Sequence, residues 1–226
     1  KIRSYNAFIN FIVGARGVGK TFSLTETVIN DYLKTGKQFL YIRRRVTELE
    51  DISKFFDDMI YHEKFEGHTL TVEPDKRGAT FKIDGEICGY ARALSVQHYL
   101  KSVPFPLIYN ILFDEFIIDV GGNKTYLQNE VVDFLEILQS AVRLRNARVY
   151  LISNALSVGN PYFNYFDIEI KSSDRIKVVK RIGEEIPERE GEPLIVVEMV
   201  HNEPYRKLQE RSLFGSLVKG TPYGDY

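Results

Sequence analysis

Gly14-Ala15-Arg16-Gly17-Val18-Gly19-Lys20-Thr21 follows the apolar run Ala7 to Val13 and precedes a segment with helical apolar spacing, Leu24, Val28 and Leu33, that closes at Gly36. It matches G-x-x-x-x-G-K-[ST] at every specified position, between a strand and a helix as the motif requires. Glycines let consecutive backbone N–H groups turn toward phosphate oxygens, and the helix starting near Lys20 adds the positive end of its dipole. Lys20 is expected to reach the β- and γ-phosphates of a nucleotide, and Thr21 to offer its hydroxyl to Mg2+. Gly14, Ala15, Arg16, Gly17, Val18, Gly19, Lys20 and Thr21 together form the expected cradle.

Outward from this loop, strands and helices alternate. Gln38 to Ile42 reads as a second buried strand, and Thr47 with Glu50 forms a capping-box pattern opening a helix through Phe55, Phe56, Met59 and Ile60. Thr69 to Val72 and Phe81 to Ile83 read as short strands, and Asp84-Gly85 before Glu86-Ile87-Cys88 as a hairpin turn, which predicts an antiparallel insertion near residues 68–92. Leu107 to Phe113 is the most continuous apolar strand. Leu127 to Val142 carries a helical stripe of Val131, Phe134, Leu135, Leu138 and Val142, and Val149 to Ile152 is another buried strand. This order predicts an α/β fold with a mostly parallel central sheet and helices on both faces, its ligands at the carboxyl ends of the strands. From Pro161 the signal weakens. Ile176 to Val179 and Leu194 to Val197 can pair as strands across an exposed connection, Gly183 to Glu192, giving a C-terminal appendage near 165–226.

A chain of 226 residues, 44% hydrophobic, suffices for one main domain. The 30 basic and 31 acidic side chains give no overall pull toward nucleic acid, so contact with a phosphate backbone would come from a local patch. One cysteine, Cys88, excludes an internal disulfide, the four scattered His offer no structural zinc spacing, and a reducing compartment fits best. No apolar run approaches a membrane span or a signal-peptide core.

Ile108 to Phe113 followed by Asp114-Glu115 reads as a Walker B strand. Asp114 would hold Mg2+, and Glu115, the next residue, can aim at the water attacking the γ-phosphate. No glycine follows Asp114 at the three-residue step of a GTPase, and Asn123-Lys124-Thr125-Tyr126 lacks a guanine-reading aspartate, so ATP is preferred. Without a transporter-type LSGGQ signature, the remaining class has an extra strand between the P-loop and Walker B strands, and includes motors, helicases and AAA+ proteins. Val149 to Ile152 would be the strand after Walker B. It ends in Ser153-Asn154, where Asn154 can sense the γ-phosphate or position the water, or act as a turn former. Arg143, Arg145 and Arg148 precede it, either as an arginine finger for a neighbouring subunit or as a basic helix C-terminus favoured by the dipole. The run Arg43-Arg44-Arg45 reads as a solvated or salt-bridged patch, with Arg45 and Lys124 the candidate nucleic-acid contacts.

Asn10 to Lys20, Tyr41-Ile42-Arg43-Arg44, Phe113-Asp114-Glu115-Phe116, Ser153-Asn154-Ala155 and Asn160-Pro161-Tyr162-Phe163 resemble the genome-packaging ATPases of phi29-type tailed bacteriophages. The similarity runs in patches from about Asn10 to Val158 and returns at Phe214-Gly215, Gly220-Thr221 and Tyr223-Gly224. It implies a P-loop NTPase of the ASCE type, an ATP- and Mg2+-dependent motor that drives double-stranded DNA into an empty capsid. It further implies a ring of identical subunits, typically five, docked on the phage portal in the host cytoplasm, with a packaging RNA as a further partner and no membrane. By the same resemblance Arg143 is the trans-acting finger, Lys101 a second basic residue offered to the neighbour, and Arg16 a counterpart of the P-loop arginine of large terminases. One inserted residue near Arg143 leaves Arg145 as a substitute. A C-terminal nuclease-like module would follow this chain in the family, and the Val120 to Lys124 loop is individual. The rival functions are a helicase-like or AAA+ remodelling ATPase acting on single strands or protein, and a nucleotide-gated module without turnover.

Overall fold

The computed structural model describes residues 1–100, 107–118, 124–143, 145–154, 159–171, 174–200, 207 and 211–219. In chain order the elements are β1 (Ile9–Gly14), α1 (Lys20–Thr35), β2 (Gln38–Arg43), α2 (Asp57–Tyr61), β3 (Leu70–Asp75), β4 (Gly78–Ile83) and β5 (Glu86–Ala93). There follow α3 (Gln97–Leu100), β6 (Ile108–Asp114), α4 (Glu130–Val142), β7 (Arg148–Ser153), α5 (Pro161–Tyr165), β8 (Ile176–Arg181), β9 (Pro193–Val200) and a last helix, Leu213–Val218. The described strands form one sheet in the order β3-β4-β5-β2-β6-β7-β1-β9-β8. From β5 to β9 all neighbours run parallel, and β3-β4, β4-β5 and β8-β9 pair antiparallel.

Strand alternation builds a core on each face. Phe11 and Val13, Leu40 and Ile42, and Ile111 and Phe113 pack with Val131, Phe134 and Leu138 of α4 and with Tyr162 and Phe163 of α5. The intervening Ile12, Phe39, Tyr41, Leu112 and Ile152 pack with Leu24, Val28 and Ile29 of α1. Both faces being covered, the parallel strands read as nearly continuous apolar runs. Gly36 closes α1 with its N–H on the Tyr32 carbonyl. No helix among the described residues is long and apolar enough to cross a membrane.

Three expectations change. The helix predicted from Thr47 through Ile60 is broken into 3-10 turns, Val46–Leu49 and Ile52–Lys54, before the short α2. Glu48, not Glu50, reaches back, accepting from the Arg44 and Arg45 N–H groups at 3.0 and 3.3 Å. The tighter turns let Leu49, Ile52 and Phe56 all reach the core beside Phe39 and Phe81. Secondly, the antiparallel β3 to β5 unit extends the main sheet, because β5 pairs in parallel with β2. Thirdly, β9 does not belong to an appendage. It lies beside β1, with Ile195, Val196 and Val197 buried, and a Cβ on Gly14 would stand 2.6 Å from the Val200 carbonyl oxygen. The charged connection before β9 had hidden its place in the core.

Candidate active site

β1 and β6 end side by side with only β7 between them, so the loop after β1 faces the acidic pair that ends β6. Gly19 takes a left-handed φ of 77° at the N-terminus of α1, a conformation that a side chain would strain. The turn it makes brings Lys20 back over its own loop. The Lys20 ammonium donates to the carbonyls of Gly14 (2.9 Å) and Ala15 (2.7 Å) and to Asn154 Oδ1 (2.8 Å) at the end of β7. Three donors thus meet three acceptors. Burial lowers the Lys20 pKa to about 8, although Asp114 pulls it upward. A cleft of about 290 Å3 opens here, lined by Arg16, Gly17, Gly19, Lys20, Thr21, Phe22, Asp58 and Asn154.

Asp114 is nearly enclosed. Its Oδ2 accepts from Thr21 Oγ1 at 3.4 Å and from the Tyr41 hydroxyl at 3.1 Å, and its Oδ1 accepts from the Glu115 N–H at 3.0 Å. Burial raises its pKa despite Arg43 and the Tyr41 bond, so the protein leaves its charge undercompensated. Burial and Asp114 together push the Tyr41 phenol well up, keeping it a donor. An undercompensated carboxylate beside a hydroxyl fits a hard divalent cation such as Mg2+. Among the described residues no three His, Cys, Asp or Glu side chains cluster as a metal site of their own, so such a cation would share oxygens brought by a phosphate.

Glu115 turns out of the strand with φ 57°. Its Oε2 lies 2.7 Å from Arg43 Nη2 and 3.0 Å from Lys124 Nζ. Burial pushes its pKa up, but Arg43, Lys124 and Arg16 from the loop together outweigh this and hold it below its ordinary value. In this arrangement the carboxylate is ion-paired while its side chain stays partly exposed.

The arginine run expected as one patch is divided by strand alternation. Arg43 serves the acidic pair, Arg44 is 1% exposed inside the core, and Arg45 donates to the Thr125 carbonyl and hydroxyl at 3.1 and 3.2 Å. Lys124 also lies 3.3 Å from Glu48. Both candidate nucleic-acid contacts, Arg45 and Lys124, lie at the rim of the site, each with partners of its own chain. Tyr41 and Arg43 were missed as site residues, though their i, i+2 spacing on a strand beside β6 is the signal that places both at Asp114.

α4 starts beside the acidic pair, where Arg44 bridges Glu130 to the Glu115 carbonyl. It runs back for about 20 Å at 1.5 Å per residue. Arg145, beyond its far end, donates to the Ile108 carbonyl at 3.2 Å, at the amino end of β6, and also to Ala141. Arg143 is exposed, has φ 52°, and among the described residues its guanidinium makes no hydrogen bond or ion pair. It stands at the opposite end of the sheet from the P-loop of its own chain. Arg148 is bonded to Asn6 Oδ1. Lys101 and residues 120–123 of the glycine-containing loop lie outside the described residues.

The whole chain, residues 1–226, matches the family model of the podovirus DNA encapsidation protein (Gp16). It is 35% identical over 226 residues to the DNA packaging protein of Bacillus phage phi29, covering all of this chain and 62% of that one. The chain therefore spans about three fifths of the length of this curated relative. The crystal structure of the N-terminal domain of the DNA packaging ATPase from phi29 superposes with a TM-score of 0.75 at 33% identity, over 89% of this chain and 94% of that domain. A chain of the phi29 viral genome packaging motor assembly gives 0.73 at 33% identity, over 99% of this chain and 63% of that chain. With the match running from first residue to last, the chain belongs to the podovirus DNA encapsidation protein (Gp16) family.

Proposed function

We propose that this chain is the ATP-hydrolysing P-loop domain, of the ASCE type, of a motor that translocates double-stranded viral DNA into a preformed capsid. The observation that carries the reading is the approach of Thr21 to Asp114, 3.4 Å apart, with one strand interposed between the strands that deliver them. That interposed β7 is the feature that the ASCE class adds to a simpler P-loop sheet, and it brings Asn154 to the lysine.

Backbone N–H groups of the loop and the Lys20 ammonium receive the β- and γ-phosphates, Lys20 exchanging the Gly14 and Ala15 carbonyls for phosphate oxygens. Thr21 and Asp114 would hold Mg2+, which would supply neutralisation of the charge on the phosphates. Glu115, released from Arg43, takes the proton of the attacking water as the bond from the γ-phosphorus to the bridging oxygen breaks. Asn154 follows the γ-phosphate through Lys20. Arg143 lies about the length of α4 from its own site, so it acts in trans on a neighbour's ATP, as the family resemblance also implies for Lys101. The working form is then a homo-oligomeric ring, a pentamer by the same resemblance, docked on the portal in the host cytoplasm with a packaging RNA as a further partner.

The test is ATP turnover by the assembled protein with duplex or single-stranded DNA. A packaging motor is stimulated by duplex of any sequence, and stimulation falls steeply with salt because the contacts are to phosphate. Preferential stimulation by single strands would instead favour a helicase-like machine, and no stimulation by either would reject the DNA motor.

A further inference from the structure

Behind the acidic pair lies a buried polar network that phosphate binding does not use. Arg44 Nε and Nη2 donate to the two carboxylate oxygens of Glu130 at 2.8 and 2.9 Å, both side chains being 1% exposed. The same guanidinium donates from Nη1 to the Glu115 carbonyl at 3.0 Å and from Nη2 to the Phe116 carbonyl at 2.8 Å. Glu130 is itself fixed by the Tyr162 hydroxyl at 3.0 Å and the Leu127 N–H at 2.9 Å. Phe113 and Tyr126 present their rings to the guanidinium.

A buried ion pair is weak evidence for stability, since well-packed apolar residues of similar volume often serve as well or better. What an apolar pair cannot do is hold two successive carbonyls. Those carbonyls follow the point where the chain leaves β6, and Glu115 adopts there the left-handed conformation that a residue with a side chain avoids unless its surroundings impose it. The geometry points to Arg44, oriented by Glu130 and Tyr162, as a positioning residue: it fixes the backbone turn at Glu115 and so the direction in which that carboxylate leaves the strand. Arg43 governs the carboxylate, and Arg44 governs the peptide that carries it. The inference rests on the reading of Glu115 as the group that acts on water.

The experiment is single-turnover ATP hydrolysis, with nucleotide affinity measured separately, by the assembled protein carrying Arg44→Lys or Tyr162→Phe, each in the wild-type and the Glu115→Gln background. Arg44→Lys keeps the charge and loses the planar fork. The expected result is a loss of about tenfold or more in the hydrolysis step, with ATP affinity within about threefold of wild type, and less than about twofold further loss in the Glu115→Gln background, because residues acting as a unit are non-additive. Tyr162→Phe, a milder change that keeps the ion pair, shows the same pattern at a few-fold and carries the test alone if Arg44→Lys does not fold. Phe134→Leu loosens α4 through packing and lowers the melting temperature without slowing hydrolysis. An equal loss in both backgrounds, an unchanged hydrolysis step in folded variants, or an equal slowing by Phe134→Leu would overturn the positioning role. A wild-type rate for Glu115→Gln alone would instead overturn the reading on which it rests.

Discussion

Arg43 places Nη2 2.7 Å from Glu115 Oε2 while its Nη1 stands 3.8 Å from Asp114 Oδ2, so one guanidinium addresses both members of the acidic pair. A carboxylate held in this way is ionised but engaged. Under the proposed function Glu115 exchanges Arg43 for a water molecule before it acts, which would make the end of β2 a control point for hydrolysis.

Removing that partner has a predictable sign. Arg43, together with Lys124 and Arg16, holds the Glu115 carboxyl below its ordinary value, against the upward push of burial, so Arg43→Gln raises it. The acid limb of the hydrolysis rate then moves to higher pH. The same change reduces the part of the stability that is present above the unfolded carboxylate pKa and lost as pH falls through the folded one. Rate profiles and thermal melts between pH 4 and 8, on the order of the carboxylate and histidine range, check both; an unmoved acid limb contradicts the pairing.

Lys20 makes nucleotide binding pH-dependent at the other end. Its pKa is lowered to about 8 by burial, and a bound polyphosphate favours the charged form. Above pH 8 the free site must therefore take up a proton to bind ATP, and affinity falls as pH rises. Because the folded value lies below the ordinary lysine value of 10.5, the unfolded chain binds more protons between the two, so the stability of the nucleotide-free protein rises with pH in that window. Calorimetric titrations in buffers of different ionisation enthalpy read the proton directly. Lys20→Ala abolishes the uptake along with most of the affinity; uptake persisting in that variant would assign it elsewhere.

Arg143 at the far end of α4 predicts complementation. Arg143→Ala binds ATP nearly normally yet loses about a thousandfold in rate, the usual cost of a missing arginine finger. Lys20→Ala keeps its finger and loses its cradle. Mixing the two under assembly conditions restores part of the activity, and rate per subunit rises with concentration as the ring forms. Arg145→Ala is the control, since Arg145 is engaged with the Ile108 and Ala141 carbonyls and its loss is felt as stability rather than rate. An inactive mixture with proven assembly would place the finger in cis or remove it.

The sheet and its helices were legible wherever apolar periodicity was long. β1, α1, β2, β6, α4 and β7 lie where Ala7 to Val13, Leu24 to Leu33, Gln38 to Ile42, Leu107 to Phe113, Leu127 to Val142 and Val149 to Ile152 put them. The failures share a cause: long-range pairing is invisible in local pattern. Nothing near Leu194 says that β9 will lie against β1, and nothing near Thr47 says that the aromatic cluster of Phe39, Phe55 and Phe81 will prefer broken turns to a helix. The site divides in the same way. The loop and the acidic pair are contiguous motifs, whereas Tyr41, Arg43 and the Arg44–Glu130 pair depend on which strand and helix lie beside β6.

The most direct measurement is single-turnover hydrolysis by Glu115→Gln together with its affinity for ATP and Mg2+. The amide keeps the shape of the side chain and removes the base, so binding should stay within a few-fold of wild type while the hydrolysis step falls by roughly a hundredfold or more. A Glu115→Gln protein that binds ATP normally and hydrolyses it at the wild-type rate would contradict the account.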